Sequence, residues 1–303
     1  ECRGTGTVYK TRLKESNVDL YIGKACKASM SATKPGNGGL RIQRYESTDQ
    51  AATEALALAQ GMAIKHGMFN TGFSGTKMVV DTSNIDGIEN LNRSVFLQET
   101  SEVLNNFHGL KYTGCDINST LDDMECMGTQ TDYILAGLGN KSVDPNDATA
   151  YGVVGSIIGA IGEKDLKDLR FVVHGCGNVG STVAKILLRA GATVYTIDKS
   201  SPRASIGTAI NLSHQVSDNG DLTKSLPEHD VFVPCSSSRL IDEKIARYLA
   251  SSSTQIIVGA TNLPFSSPVA ENIFLQTGKM FIPEGISSAG AVIVDSIEHH
   301  DIE

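Results

Sequence analysis

Between Arg170 and Asp198 the chain reads RFVVH, GCGNVG, STVAKILLRAG and ATVYTID: an apolar run, a glycine loop, an amphipathic stretch and a second apolar run. No other segment constrains the fold so tightly. A strand that ends in Gly175, Gly177 and Gly180 and reopens as a helix points backbone N–H groups outward from a helix N-terminus. That end carries partial positive charge and suits a phosphate. The glycines serve a tight turn, close approach of backbone to a pyrophosphate and packing of helix on strand, and Asn178 and Val179 complete the loop. Asp198 ends the second run 18 residues beyond Gly180, where a carboxylate bonds the ribose hydroxyls of an adenosine. A lone GxGxxG is weak evidence. Here the strand before it, the helix after it and the acid beyond it together predict a dinucleotide site. Asp198 repels a 2′-phosphate and favours NAD over NADP, whereas Lys199 and Arg203 just after it are the groups that would receive such a phosphate.

The flanking sequence repeats the alternation. In the second half, strands are predicted at Arg170–His174, Thr193–Asp198, Val231–Pro234, Gln255–Gly259 and Met280–Pro283, with helices at Ala148–Gly162, Val179–Ala190, Asp242–Ala250 and Pro268–Thr277. Such spacing makes βαβ units and a mostly parallel, doubly wound sheet. In the first half, Ser47 and Gln50 form a capping box for a helix over Thr48–Lys65. Strands are predicted at Val18–Ala25, Lys77–Asp81 and Leu110–Thr113, and helices at Leu91–Phe107 and Thr120–Gly128. The polar run Asn140–Asp147 breaks the periodicity and is the candidate hinge. The fold class is α/β, in two domains over residues 1–146 and 147–303 with a cleft between them.

Composition narrows the partners. The 303 residues are 40% hydrophobic and 20% charged, which suffices for packed cores. The formal net charge of −8 argues against a nucleic-acid or anionic-membrane partner. No run of 18 apolar residues is present, which excludes a membrane-spanning helix. The chain opens Glu-Cys-Arg-Gly without the apolar core of a signal peptide. Six cysteines without a C-x-x-C pair read as free thiols in a reducing compartment. A soluble cytoplasmic enzyme is the expected class.

Three first-half residues carry candidate chemistry. Lys65 and Lys77 flank the glycines Gly67, Gly72 and Gly75, which would let a loop bring both ammonium groups together. A lysine desolvated or beside another cation has a depressed pKa and can act as a base. Asp116 follows a strand, where α/β active sites gather. Taken singly, each lysine also reads as an ordinary surface group and Asp116 as a helix N-cap.

The runs GNGGLRIQRY, GMAIK, GFSGTK, TGCDINST, DATAYGV and HGCGNVG follow one another between about Pro35 and Asp295. In that order they resemble the glutamate/leucine/phenylalanine/valine dehydrogenase family, most nearly its shorter leucine/phenylalanine branch. The resemblance implies a substrate domain first and a Rossmann-type domain second. It also implies reversible NAD-dependent oxidative deamination of an L-α-amino acid to a 2-oxo acid and ammonium, and a homo-oligomer. Lys65 then holds the substrate α-carboxylate beside the backbone of Gly38 and Gly39. Lys77 activates the water that attacks an imine, and Asp116 exchanges protons with the amino group. Thr149, Asn262 and Ser288 lie around the nicotinamide.

Some positions depart from the family pattern. Ser287-Ser288 stands where asparagine is common, and Asn37 where the leucine enzymes carry an apolar residue beside the substrate side chain. Gly114 resembles the phenylalanine enzymes, where a small residue leaves room for an aromatic or large apolar side chain. The sequence stops at Glu303, whereas relatives continue through helices that return to the first domain, which implies altered closure and oligomer contacts. Glu298-His299-His300-Asp301 has metal-ligand residue types but reads as a solvated end, and no metal is expected. Cys176 is either an oxidation-sensitive thiol at a helix N-terminus or a small packing residue. Two other functions remain: the same fold acting on a different imine or oxo substrate, and a dinucleotide-sensing protein without turnover.

Overall fold

The computed structural model describes residues 6–26, 30–136 and 143–301. Cys2 and residues 140–142, the first part of the candidate hinge, lie outside them. The chain divides into two units, residues 1–143 with 292–303, and residues 144–291.

In the first unit the elements run β1 (Thr7–Leu13), β2 (Val18–Lys24), β3 (Gly36–Asn37), β4 (Leu40–Gln43), α1 (Thr48–Met68), β5 (Ser74–Asp81), α2 (Arg93–Asn105), β6 (Lys111–Tyr112) and α3 (Leu121–Gly128). The sheet order is β1-β2-β5-β3-β6, with β4 also on β5. β1, β2 and β5 are antiparallel, and β3, β4 and β6 join in parallel. α1 lies hard on one face: a Cβ on Gly23 would sit 2.1 Å from the Ala55 carbonyl oxygen, and one on Gly75 2.3 Å from that of Ala59. Only glycine permits that approach. α2 and α3 contribute Phe96, Leu97, Leu104 and Met124 to a core with Leu20, Ile22, Leu40, Ile42, Met78 and Val80. Ser47 does cap α1, but Gln50 reaches back to the Glu46 N–H and not to that of Ser47. The reciprocal box occurs instead at Thr120 and Asp123 on α3.

The second unit holds α4 (Pro145–Ile161), β7 (Arg170–His174), α5 (Asn178–Arg189), β8 (Thr193–Ile197), α6 (Ser201–Ala204), β9 (Ile210–Asn211), α7 (Ser213–Asn219), β10 (Val231–Pro234), α8 (Glu243–Ser251), β11 (Ile256–Val258), α9 (Pro268–Leu275), β12 (Met280–Ile282) and α10 (Glu284–Ser287). Its strands lie in the order β12-β11-β10-β7-β8-β9, all parallel. This is the doubly wound dinucleotide-binding order, and its direction reverses beside β7. Pleating splits the strand between two cores: Phe171 and Val173 pack with Val153, Ile157, Val183 and Leu187, and Val172 packs with Leu249, Phe232 and Phe274.

Two expectations change. The last residues of the candidate hinge begin a helix, since Asp144 caps α4 and Pro145 fills its first turn. Helix α11 (Gly290–His300) carries the chain out of the second unit, and from Val292 it groups with the first. Asp295, Ser296 and Glu298 bond Asn37, Thr71 and Ala136, which is why residues 292–303 do not belong with the second domain. Within the Glu298–Asp301 run, His300 and Asp301 are exposed, but Glu298 and His299 are half-buried, the His299 ring lying 4.7 Å from that of Phe73 and 4.8 Å from that of Tyr112. Among the described residues no helix is long and apolar enough to cross a membrane.

Candidate active site

β5 places Lys77 and the turn after β6 places Asp116, and the two meet. Lys77 Nζ lies 2.6 Å from Asp116 Oδ2, and Arg41 Nε from β4 reaches the same oxygen at 3.0 Å. Arg41 also pairs with Glu54 of α1 at 2.7 Å. All four side chains are at most 15% exposed. Burial raises Asp116, but Arg41 first and Lys77 next outweigh it and hold the carboxyl below the usual carboxylate range. Burial, helped by the charge of Arg41, draws the Lys77 ammonium below its ordinary value, and Asp116 restores only part. A carboxylate that stays charged thus sits against a lysine eased toward neutrality. Asp116 is not the cap of α3, a part taken by Thr120. Its own N–H is fixed by Ser119 Oγ at 2.8 Å.

The glycine pair borders this group. A Cβ on Gly38 would lie 1.8 Å from the Thr76 carbonyl oxygen, and one on Gly39 3.0 Å from Asp116 Cβ. The Gly38 carbonyl accepts from Lys111 Nζ at 3.1 Å and Thr113 Oγ1 at 3.0 Å. Lys65 is buried on α1, two residues beyond Ala63, which Gly75 touches. Asn37 is fully buried; its Nδ2 donates to Asp295 Oδ2 at 2.7 Å, and its Oδ1 has no hydrogen-bond partner. The Asn37 carbonyl meets His66 Nε2 at 3.3 Å, so that nitrogen carries the proton and Nδ1 accepts from Thr71 Oγ1. Gly114 also meets a backbone need: a Cβ there would lie 2.1 Å from the Leu135 carbonyl oxygen, so the glycine lets two backbones pass.

In the second unit, the loop after β7 bends through Gly175 at φ 97°, where a Cβ would strike the Cys235 carbonyl. A Cβ on Gly180 would lie 1.9 Å from the Gly175 carbonyl oxygen, whereas one on Gly177 meets nothing within 4 Å. Two glycines therefore close the turn and the third leaves its outer face open, a cradle that fits a pyrophosphate at the N-terminus of α5, where Asn178 and Val179 lie. Asp198 braces this loop, accepting from the Cys176 N–H at 2.7 Å and the Ser200 N–H at 2.9 Å. Each oxygen keeps a lone pair for a hydroxyl donor. Cys176 is a packing residue, not a reactive thiol, since burial pushes it up to about 12. Among the described residues, no cysteine is in a disulfide.

The three residues expected around the nicotinamide all lie in this unit. The Thr149 hydroxyl donates to the Pro145 carbonyl and accepts from the Ala291 N–H. Ser288 Oγ donates to the Glu284 carbonyl at 2.8 Å, so toward any ligand it can only accept. Asn262 follows β11 beside Thr261, whose Oγ1 accepts from the Ser236 N–H beyond β10.

Sequence reasoning passed over Arg41, Glu54, Lys111 and Asp295. Each left a signal, a charge inside an apolar pattern: Glu54 among Ala51, Ala55 and Leu58, and Asp295 just after Val292 and Val294. Buried charges of this kind persist only when paired or ligated.

The profile of the Glutamate/Leucine/Phenylalanine/Valine dehydrogenase family matches residues 142–207 and 199–301. Phenylalanine dehydrogenase of Lysinibacillus sphaericus is 25% identical over 269 residues, covering 86% of this chain and 68% of its own. Leucine dehydrogenase of Geobacillus stearothermophilus is 26% identical over 266 residues, covering 86% and 70%. Among solved structures, L-tryptophan dehydrogenase from Nostoc punctiforme has the same fold, with a TM-score of 0.68 at 22% identity over 98% of this chain and 82% of that one. A hetero-hexameric glutamate dehydrogenase from Thermus thermophilus aligns with a TM-score of 0.73 at 19% identity, over 97% and 75%.

Proposed function

The chain belongs to the glutamate/leucine/phenylalanine/valine dehydrogenase family, and from that premise we propose that it oxidatively deaminates an L-α-amino acid. Amino acid, water and oxidised dinucleotide give 2-oxo acid, ammonium, reduced dinucleotide and a proton, and the reaction is reversible. A bound nicotinamide dinucleotide supplies the hydride acceptor for Cα–H. Gly175, Gly177 and Gly180, with the N–H groups of Asn178 and Val179, hold its pyrophosphate. Asp198 takes the ribose hydroxyls and, by its charge, makes NAD the cofactor over NADP. Thr149, Asn262 and Ser288 border the nicotinamide.

The chain's own groups do the rest. Lys65 and the backbone at Gly38-Gly39 hold the α-carboxylate. Asp116 takes a proton from the substrate ammonium, because hydride leaves Cα only from a neutral amine. The position of both cations on Oδ2, which leaves Oδ1 outside their contacts, supports this role. Lys77, lowered by burial, removes a proton from the water that adds to the imine carbon. Asp116 then protonates the departing nitrogen. The observation that carries this reading is the buried Lys77–Asp116 contact beside the glycine pair, since dinucleotide binding alone requires neither residue. The hexameric relative supports self-association as part of the reading, and the thiols outside disulfides support a cytoplasmic setting.

Lys77→Met is the test. Turnover is expected to fall by at least about 1,000-fold, with reduced-dinucleotide binding, followed by fluorescence, unchanged. Near-normal turnover would remove Lys77 from the mechanism.

A further inference from the structure

Asp295 is a charge that the reaction above leaves unused. It lies on α11 immediately after the buried Val294, and its one hydrogen bond among the described residues comes from the neutral Asn37 amide, at 2.7 Å. No cation pairs with it there. Lys77 is engaged by Asp116, and Lys111 by the carbonyls of Gly38 and Tyr112. Beside it, Asn37 Oδ1 is a buried acceptor with no hydrogen-bond partner. A buried carbonyl oxygen without a donor, beside a buried acid held only by a neutral amide, forms an incomplete site.

Its place is informative. Asn37 adjoins Gly38 and pairs in register with Gly75, two residues before Lys77. Asp295 feels the charges of both Lys77 and Lys111. The acceptors therefore lie next to the α-carboxylate and proton-transfer groups assigned above.

We propose that Asn37 and Asp295 receive the end of the substrate side chain, and that this end is an ammonium, making the substrate an α-amino acid of the lysine or ornithine class. The proposal rests on the deamination reading for where the substrate's α-carbon lies. An ammonium carries three donors and one positive charge, enough for Asn37 Oδ1 and the carboxylate together. An apolar side chain would seal Asn37 Oδ1 off from water unpaired and leave Asp295 without a cation. A glutamate side chain would set a carboxylate against Asp295. Burial first and Glu298 next have pushed Asp295 up to about 7, against the pull of Asn37, Lys111 and Lys77, as befits an acid lacking its cation.

The test compares L-lysine and L-ornithine with L-norleucine, which has lysine's chain length without the ammonium, and with L-phenylalanine and L-glutamine. Steady-state kinetics are paired with calorimetric binding of the same amino acids in the presence of reduced dinucleotide. The expected result is a kcat/KM for lysine or ornithine at least about 100-fold above that for norleucine, as for a site built around a polar group. Asp295→Leu should bring that ratio to within about threefold, and the isosteric Asp295→Asn should lower it at least tenfold. Preference of the unaltered enzyme for norleucine, phenylalanine or glutamine overturns the proposal. If no amino acid is oxidised yet lysine or ornithine binds in preference to norleucine, the proposal stands and the deamination reading falls. Neither turnover nor selective binding overturns both.

Discussion

Lys77 Nζ and Arg41 Nε converge on one oxygen of Asp116, at 2.6 and 3.0 Å, and leave its other oxygen outside both contacts. In the proposed mechanism this arrangement couples a base to a proton carrier, so altering one should move the other. In Asp116→Asn the main influence raising the Lys77 pKa is gone. The limb of kcat/KM that rises with pH as the lysine deprotonates should then move to lower pH, while turnover falls about 100- to 10,000-fold. A pH–rate profile of the residual activity checks this. A limb that stays in place would separate the two residues.

Arg41 serves two carboxylates from a position that is 2% exposed. Arg41→Met should cost about 3–5 kcal/mol in urea unfolding, because Glu54 stays buried without this cation. Adding Glu54→Leu should recover part of the loss. A single-variant cost under about 1 kcal/mol would mean that solvent reaches these groups.

The glycines of the loop after β7 should divide by role. Gly180→Ala drives a Cβ to 1.9 Å from the Gly175 carbonyl oxygen and should destabilise the unit by about 3 kcal/mol or more. Gly177→Ala has open space and an ordinary φ of −71°. It should fold within about 1 kcal/mol of the original yet bind the dinucleotide at least about tenfold more weakly. Unfolding curves and a binding titration separate the effects, and a Gly177→Ala protein with unchanged affinity would move the pyrophosphate elsewhere.

In the second unit the five longer strands and the four longer helices were legible in the sequence, whereas the short elements β9, α6, α7 and α10 were not. Strand β7, the glycine loop and α5 are contiguous, and a fully covered parallel strand such as Val231–Pro234 is simply apolar. The first unit was less so. Strand β1 carries Lys10 and Arg12 on an exposed edge, and β3 has two residues, so neither shows a period of two. Lys77 and Asp116, which sit in named motifs, were legible as candidates. Asp295 was not, because its partner Asn37 lies 258 residues away and only folding joins them. Nor was the close backbone approach at Gly114, since the carbonyl beside it belongs to a neighbouring segment.

Asp295 also predicts a pH effect on stability. Its folded value is about 7, against ~3.9 when unfolded, so between those values the native state holds a proton that the unfolded chain has lost. Stability therefore falls as pH rises through that window, by at most about 4 kcal/mol, and is level above it. Asn37, Lys111 and Lys77 face the group from β3, β6 and β5, and Glu298 from its own helix. His66 and His174, both near 4 through burial, act in the opposite sense but equally in Asp295→Asn. The difference between the two proteins' unfolding free energies should thus shrink or change sign from about pH 4 to pH 7. A flat difference would place Asp295 in contact with water.

The most direct test of the central claim is the near-ultraviolet absorbance of reduced dinucleotide, followed on the purified protein with NAD or NADP and each L-amino acid in turn at mildly alkaline pH. Absorbance is expected to grow with at least one amino acid, faster with NAD than with NADP, with one ammonium released for each dinucleotide reduced. No reduction with any amino acid, while NAD binding remains measurable, would contradict it and make the protein a dinucleotide binder without turnover.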